Sequence, residues 1–217
     1  MTGSSFRTVV VVRIVPWWGV VSAATAPVLL ISGWTLAAGL HGAAYDQVSS
    51  SVSALAAEGA PDRWVMTSAF AVAAACEVLT GLALRPAALA GRVILVAGGL
   101  AGMLVAANPQ PVRGGFSLEH AIWAGIGFGA LCAWPAGAWL RGPQVPWALR
   151  SAVSASAVVL MTLLLVWFVA EVVAGGGQIG LAERALGGSQ TAWPLVVVLS
   201  CRRDQPGPAG QPASRTG

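Results

Sequence analysis

Long apolar runs separated by short polar stretches make up most of the chain. A bilayer core about 30 Å thick is crossed by about 20 predominantly apolar residues in an α-helix, and six runs approach or exceed that length. These runs lie at 16–40, 64–84, 93–107, 120–140, 151–173 and 181–201. The pattern therefore predicts an all-α, polytopic membrane protein built as a six-transmembrane-helix bundle.

The two ends of the chain differ from this central block. Residues 1–15 carry Arg7 and Arg13 ahead of the first run, and residues 203–217 are rich in Pro, Gly, Ser and Gln. The composition of the last segment offers too little apolar surface to support a packed fold. We therefore expect a cytoplasmic N-terminal segment at 1–15, a transmembrane domain at 16–202 and a disordered cytoplasmic tail at 203–217.

The polar stretch at 45–64 is the largest interruption in the first two thirds of the chain. Asp46 is placed to cap a helix start, because its carboxylate accepts from the orphan N–H groups found there. At helical spacing, two faces of opposite character then follow, with Val48, Val52 and Leu55 on one and Ser49, Ser50 and Ser53 on the other. We expect a short amphipathic helix in the first outer loop, at the membrane surface.

Composition supports the membrane assignment and excludes a nucleic-acid partner. Of the 217 residues, 56% are hydrophobic and only 9% are charged, whereas soluble domains carry about 25% charged residues. The net charge of +4 comes from twelve arginines and no lysine. These arginines stand singly or in pairs between apolar runs and form no basic stripe, so they lack the footprint of a nucleic-acid-binding surface.

The arginine distribution predicts the orientation, because cytoplasmic loops are enriched in basic residues. If the N-terminus is inside, nine arginines face the cytoplasm: Arg7, Arg13, Arg85, Arg92, Arg141, Arg150, Arg202, Arg203 and Arg215. Three face the other side: Arg63, Arg113 and Arg184. We therefore expect a multi-pass plasma-membrane protein with both termini in the cytoplasm.

With this topology, most polar residues outside the arginines collect at the outer face. The candidate ligand-binding residues are Asp46, Ser49, Ser53, His120, Glu183 and Arg184. Serines and an aspartate can hydrogen-bond a headgroup, a histidine is a switchable donor, and an arginine suits phosphate or carboxylate. We expect a membrane lipid headgroup or a small anionic ligand here, the structural alternative being that Arg184 pairs with a carboxylate such as Asp46 or Glu171.

Two other functions remain open on the same residues. A serine with His120 and Asp46 has the composition of a hydrolase or transferase site, although no GxSxG motif is present and capping explains the serines equally well. Glu77, inside the second run, could serve a proton-coupled carrier, since charge within a span is costly and often functional. Glu171 is the other intramembrane ionisable residue. Only His41 could join His120, so we expect no metal and no cofactor, and we assign no oligomeric state.

Several short motifs, taken in order, resemble a known family. They are Tyr45-Asp46, the serine- and alanine-rich stretch at 49–57, the Gly-Ala-Pro-Asp-Arg-Trp of 59–64, His120, the Gly-Leu-x-Glu-Arg of 180–184 and Trp193-Pro194. In that order the chain resembles the bacterial six-span membrane proteins catalogued as domain of unknown function nine-nine-eight, over roughly 16–202. The resemblance implies the fold and the importance of the outer polar cluster, and it implies no activity.

Overall fold

The apolar runs form six α-helices in the computed structural model, which describes residues 14–111 and 115–203. The helices are α1 Trp17–His41, α2 Arg63–Ala83, α3 Leu89–Ala107, α4 Leu118–Ala138, α5 Ser151–Ala174 and α6 Ile179–Arg203. The predicted all-α class is thereby confirmed. Most of the predicted N-terminal segment and tail, and Arg113 of the second loop, lie outside the described residues.

The helices form a closed ring in chain order. Each packs against the next, and α6 returns to pack against α1, with smaller contacts to α2 and α4. Consecutive helices are antiparallel, as the contact of Gly19 with Ala83 and that of Gly33 with Ala69 show for α1 and α2. One end of the bundle is where α1, α3 and α5 end, and we call it the loop end. The opposite end, where these three helices begin, we call the arginine end.

One helix of the ring is markedly more polar than the others. Five helices are long and apolar enough to cross a membrane, judged over the described residues, and α6 is not among them. Its 25 residues include buried Glu183, Gln190, Thr191 and Ser200. Because α6 contacts four other helices, these side chains face protein and are shielded from lipid, which is where polar residues in a membrane helix are tolerated.

The fifth helix has the opposite character. Only Ser154, Ala157 and Met161 of α5 are buried, although its 24 residues are predominantly apolar. Its exposed aliphatic side chains include Leu160, Leu163 and Val166. Such a surface suits hydrocarbon rather than water, so α5 presents most of its circumference to the bilayer and contributes little to the core.

Small residues allow the first four helices to approach closely. A Cβ added at Gly91 of α3 would run into the backbone of Ala138 in α4. A Cβ at Gly99 would lie 2.7 Å from the Ala74 carbonyl oxygen in α2. Membrane helices pack through such small residues because lipid supplies no hydrophobic driving force between them.

We expect Gly91→Ala to destabilise the bundle by about 1–3 kcal/mol, since the added methyl group meets rigid backbone and α3 must shift away from α4. Thermal unfolding in detergent measures the effect. Gly129→Ala on α4 is the matched control, because no atom of the described residues lies within 4 Å of a Cβ placed there. Equal unfolding temperatures for the two variants would contradict the close α3–α4 contact.

The segment between α1 and α2, residues 42–62, departs from its predicted form. We call it the first connection. A turn at 47–50 leads into a 3-10 helix, Ser53–Ala56, in place of the short amphipathic α-helix expected at the membrane surface. Val52 and Leu55 are buried in a cluster with Met66, whereas Val48 is exposed. The apolar face is therefore covered by the bundle itself, and the segment folds inward against α1 and α2.

Candidate functional site

Arg184, in the first turns of α6, binds the first connection. Its Nη1 donates to the carbonyl oxygens of Gln47 at 2.6 Å and Gly180 at 3.0 Å, with Ser50 O at 3.5 Å. Its Nη2 donates to Tyr45 Oη at 2.8 Å. The guanidinium group thus donates mainly to backbone carbonyls and to a phenol. These bonds hold residues 45–50 against α6.

Tyr45 completes this contact from the other side. Its hydroxyl donates to Ser51 O at 2.9 Å or to Ser50 O at 3.1 Å while it accepts from Arg184. Burial raises the pKa of the phenol, and the nearby guanidinium acts in the opposite direction. The Arg184 guanidinium also lies 5.7 Å from the centre of the Tyr45 ring and 5.9 Å from that of Trp34, within the range of cation–π attraction.

The neighbouring Glu183 binds the next part of the same segment. Its Oε2 accepts from the Val52 N–H at 2.7 Å, and its Oε1 accepts from Ser53 Oγ at 3.0 Å. Adjacent helix residues point in different directions, so Glu183 and Arg184 contact consecutive stretches of the first connection. A Cβ at Gly180 would run into Ser50 O, and only glycine permits this approach.

A cavity of about 710 Å³ opens at the loop end, between the first connection, α4, α5 and α6. We call it the loop-end cavity. Its lining includes polar side chains, which we call the polar wall: Ser49, Ser53, His120 and Glu183. It also includes aromatic and aliphatic side chains of α4 and α5, which we call the apolar wall: Phe128, Leu165, Phe168 and Val172. The volume lies within the range of about 300–1,000 Å³ typical of ligand sites.

His120 lines this cavity, and its contacts define the tautomer of its ring. Its Nδ1 lies 2.9 Å from the Asn108 carbonyl oxygen, which can only accept, so Nδ1 carries the proton and Nε2 of the neutral ring is an acceptor. The backbone N–H of His120 donates to Ser117 Oγ at 3.3 Å, which caps the start of α4. Ser53 Oγ donates to Glu183 and not to His120, so the serine–histidine contact that a nucleophile needs is not formed by this pair.

The sequence comparisons assign the family. The family described as Protein of unknown function (DUF998) matches residues 23–200. The chain belongs to this family. No curated protein and no solved structure matches the chain. The matched range runs from α1 almost to the end of α6 and contains every residue of the contact between the first connection and α6.

The geometry of this DUF998 protein separates the six candidate site residues into two groups. Ser49, Ser53, His120 and Glu183 line the loop-end cavity. Asp46 and Arg184 are outside its lining. The exposed Asp46 carboxylate accepts from the Val48 N–H at 2.8 Å, and this bond lowers its pKa, assisted by the Ser49 hydroxyl. Both residues therefore shape the first connection, and the other four face the cavity.

A second, smaller cavity of about 100 Å³ lies deeper in the bundle, and we call it the inner cavity. It is lined by residues of α1, α2, α3, α4, α6 and the first connection, including Glu77, Glu183 and Gln190. Glu77 is 4% exposed and Gln190 is 1% exposed. Four residues line both cavities, namely Ser53, Ala124, Phe128 and Glu183, so the two adjoin each other.

Glu171, the other ionisable residue expected inside a span, has a local role. Its Oε2 accepts from the Gln178 N–H at 2.8 Å across the connection between α5 and α6.

Among the described residues, no group of three or more His, Cys, Asp or Glu side chains is arranged to hold a metal ion. The residues that sequence reasoning overlooked are Gln190 and the aromatic pair Phe128 and Phe168, whose ring centres are 5.5 Å apart. The sequence signal for Gln190 was its position, since it is a polar residue in the middle of the apolar run at 181–201.

Proposed function

We propose that this DUF998 protein binds a membrane amphiphile in the loop-end cavity. The headgroup rests against Ser49, Ser53, His120 and Glu183, and the hydrocarbon chain lies along α4 and α5. The observation that carries the proposal is the mixed lining of one cavity of about 710 Å³, which combines polar side chains with aromatic and aliphatic ones. A purely polar ligand would leave the aromatic and aliphatic wall in contact with water, whereas an amphiphile satisfies both sides.

The apolar wall is accessible, which supports entry of a chain from the bilayer. Val172 and Val169 line the cavity and are 50% and 48% exposed, and Phe116 at its rim is 78% exposed. Since α5 packs on its neighbours through few buried residues, the α4–α5 side is the natural place for a lipid to enter.

The polar wall favours a headgroup that donates hydrogen bonds. The Glu183 carboxylate and His120 Nε2 accept, and the serine hydroxyls both donate and accept. The proposal assigns Arg184 to the support of this wall through its bonds to Gln47 and Tyr45. A headgroup that bears an amine or a hydroxyl group fits these partners. Binding measured with vesicles or micelles of amine, choline and anionic lipids distinguishes such a headgroup from an anionic headgroup.

We place the loop end at the outer leaflet of the plasma membrane. Of the described arginines, six lie at or beside the arginine end: Arg85, Arg92, Arg141, Arg150, Arg202 and Arg203. Two lie at the loop end: Arg63 and Arg184. Since basic residues favour the cytoplasmic side, this asymmetry supports cytoplasmic termini and a cavity that faces outward.

Filling the cavity tests the proposal. We expect Ala121→Trp, on the α4 wall of the cavity, to reduce the lipid that remains bound to purified protein by about tenfold, which is about 1.4 kcal/mol of binding. Quantitative mass spectrometry of the extracted lipid measures this. Ile122→Trp is the matched control, because Ile122 is 47% exposed on the same helix and does not line the cavity. Equal lipid content in the two variants would contradict the proposal.

A further inference from the structure

Two buried side-chain oxygens, on residues that line the inner cavity, have no hydrogen-bond partner among the described residues. They are Glu77 Oε1 and Gln190 Oε1, and both residues line the same space of about 100 Å³. The amide of Gln190 is oriented by its Nε2, which donates to Phe128 O at 3.0 Å and to Cys132 Sγ at 3.2 Å. The amide oxygen is therefore the atom of Gln190 that lacks a partner among the described residues. Buried acceptors without partners are rare in native proteins and call for a donor or a cation.

The charges around the inner cavity also indicate that Glu77 needs a cation. Of the described residues that line it, contributed by the first connection and by every helix except α5, Glu183 is the one other ionisable group. Glu183 already accepts two hydrogen bonds from the first connection. An ionised carboxylate in such surroundings is very costly unless a positive charge accompanies it. Glu77 therefore requires a partner that carries one positive charge.

The inner cavity is large enough to be hydrated and adjoins a route to the loop end. A water molecule needs about 10–15 Å³ of such space, so a cavity of about 100 Å³ has room for a small ion together with water. The lining shared by Ser53, Ala124, Phe128 and Glu183 places this space beside the loop-end cavity. The loop end is therefore the side on which a path to Glu77 would be shortest.

We propose that the inner cavity is a binding site for one monovalent cation, a proton or a sodium ion, which neutralises Glu77. Gln190 Oε1 supplies a second oxygen to the bound ion or to its water. The cation enters through the loop-end cavity. This inference goes beyond amphiphile binding: Glu77 and Gln190 line only the inner cavity, so cation binding and amphiphile binding can each fail without the other, and only the route of entry is shared.

Infrared difference spectroscopy of the full chain in nanodiscs tests the site. In the proton case, the wild type shows the carbonyl stretch of a protonated carboxyl group that shifts in D₂O and disappears at high pH. In the sodium case, NaCl in place of choline chloride at fixed pH produces a saturable shift of the carboxylate bands. Either signal is absent in Glu77→Gln and retained in Glu58→Gln, which removes an exposed carboxylate.

A second variant keeps the test decisive if Glu77→Gln folds poorly. Gln190→Leu retains Glu77 and removes the second oxygen, and we expect the midpoint of the proton or sodium titration to move towards weaker binding by severalfold. The proposal is overturned if neither pH nor sodium changes any band that depends on Glu77. It is also overturned if Gln190→Leu leaves the midpoint unchanged.

The route is tested by narrowing the junction of the two cavities. Ala124→Trp places a large side chain among the four shared lining residues, and we expect hydrogen–deuterium exchange of the Glu77 carboxyl group, or sodium entry, to slow severalfold. Ile122→Trp, on the exposed face of α4, leaves the rate unchanged. Equal rates in both variants would overturn entry through the loop end. Lipid content, measured on the same samples, reports separately on the loop-end cavity.

Discussion

Replacing Arg184 with alanine is expected to detach the first connection from α6. The change removes the bonds from Arg184 to Gln47 O, Gly180 O and Tyr45 Oη. Hydrogen bonds to charged groups contribute about 1.5–3 kcal/mol each, and partial exposure of the guanidinium reduces that contribution. We expect a loss of about 3 kcal/mol in the free energy of unfolding, measured by thermal unfolding in detergent, and faster proteolysis within residues 42–62.

Two further variants define the origin of this effect. Arg184→Lys keeps the charge but cannot reproduce the planar fork, so we expect an intermediate loss of stability. Arg141→Ala removes an arginine that lies over Trp139 at the arginine end, and we expect nearly wild-type stability. If Arg184→Ala were fully stable and lost only bound lipid, Arg184 would be a ligand contact and its assignment to the support of the polar wall would be wrong.

Replacing Glu183 with alanine is expected to have the second largest effect. It leaves the buried Val52 N–H, now bonded to Glu183 Oε2 at 2.7 Å, without an acceptor, and an unsatisfied buried group costs about 1–3 kcal/mol. It also removes a side chain that lines both cavities. We expect lower thermal stability together with faster amide exchange across Ser53–Ala56.

The glutamine variant separates hydrogen bonding from charge. In Glu183→Gln, the amide oxygen can accept from Val52 N–H and the amide nitrogen can donate to Ser53 Oγ, because a hydroxyl group also accepts. We therefore expect the stability and amide exchange of Glu183→Gln to match those of the wild type. Equal destabilisation by glutamine and alanine would show that the carboxylate charge, and not these hydrogen bonds, holds the first connection.

The apolar runs predicted the helices well because the bilayer demands length and hydrophobicity that sequence reports directly. The sixth helix shows the limit of that reasoning. Its first half, with Glu183, Arg184 and Gln190, is too polar for lipid, and its place inside the bundle follows from contacts with four other helices. No local pattern encodes which helices surround it.

The first connection shows a second limit. Its alternating apolar and serine faces predicted a helix on the membrane surface, but an apolar face fits the surface of a bundle equally well. Arg184 and Glu183 decide between the two by binding segments more than 130 residues earlier in the chain, such as Gln47 and Val52. Convergence of Ser49, Ser53, His120 and Glu183 on one cavity likewise depends on tertiary packing that spacing alone does not reveal.

The family motifs acquire a physical role in this arrangement. Tyr45 and the serine- and alanine-rich stretch at 49–57 belong to the first connection, and Gly180, Glu183 and Arg184 belong to the turn of α6 that receives it. The two motifs are therefore two halves of one contact. That contact forms the polar wall of the loop-end cavity, which links these residues to the proposed amphiphile site.

Amphiphile binding in the loop-end cavity is tested most directly by an experimental structure of the protein in nanodiscs that contain lipid from its own membrane. Our account predicts elongated density in the loop-end cavity, with its compact end beside Ser53, His120 and Glu183 and its long end between α4 and α5 along Phe168. The same density should be missing from Ala121→Trp. A cavity that holds only water, while ordered lipid occupies only the outer surface of the bundle, would contradict the account.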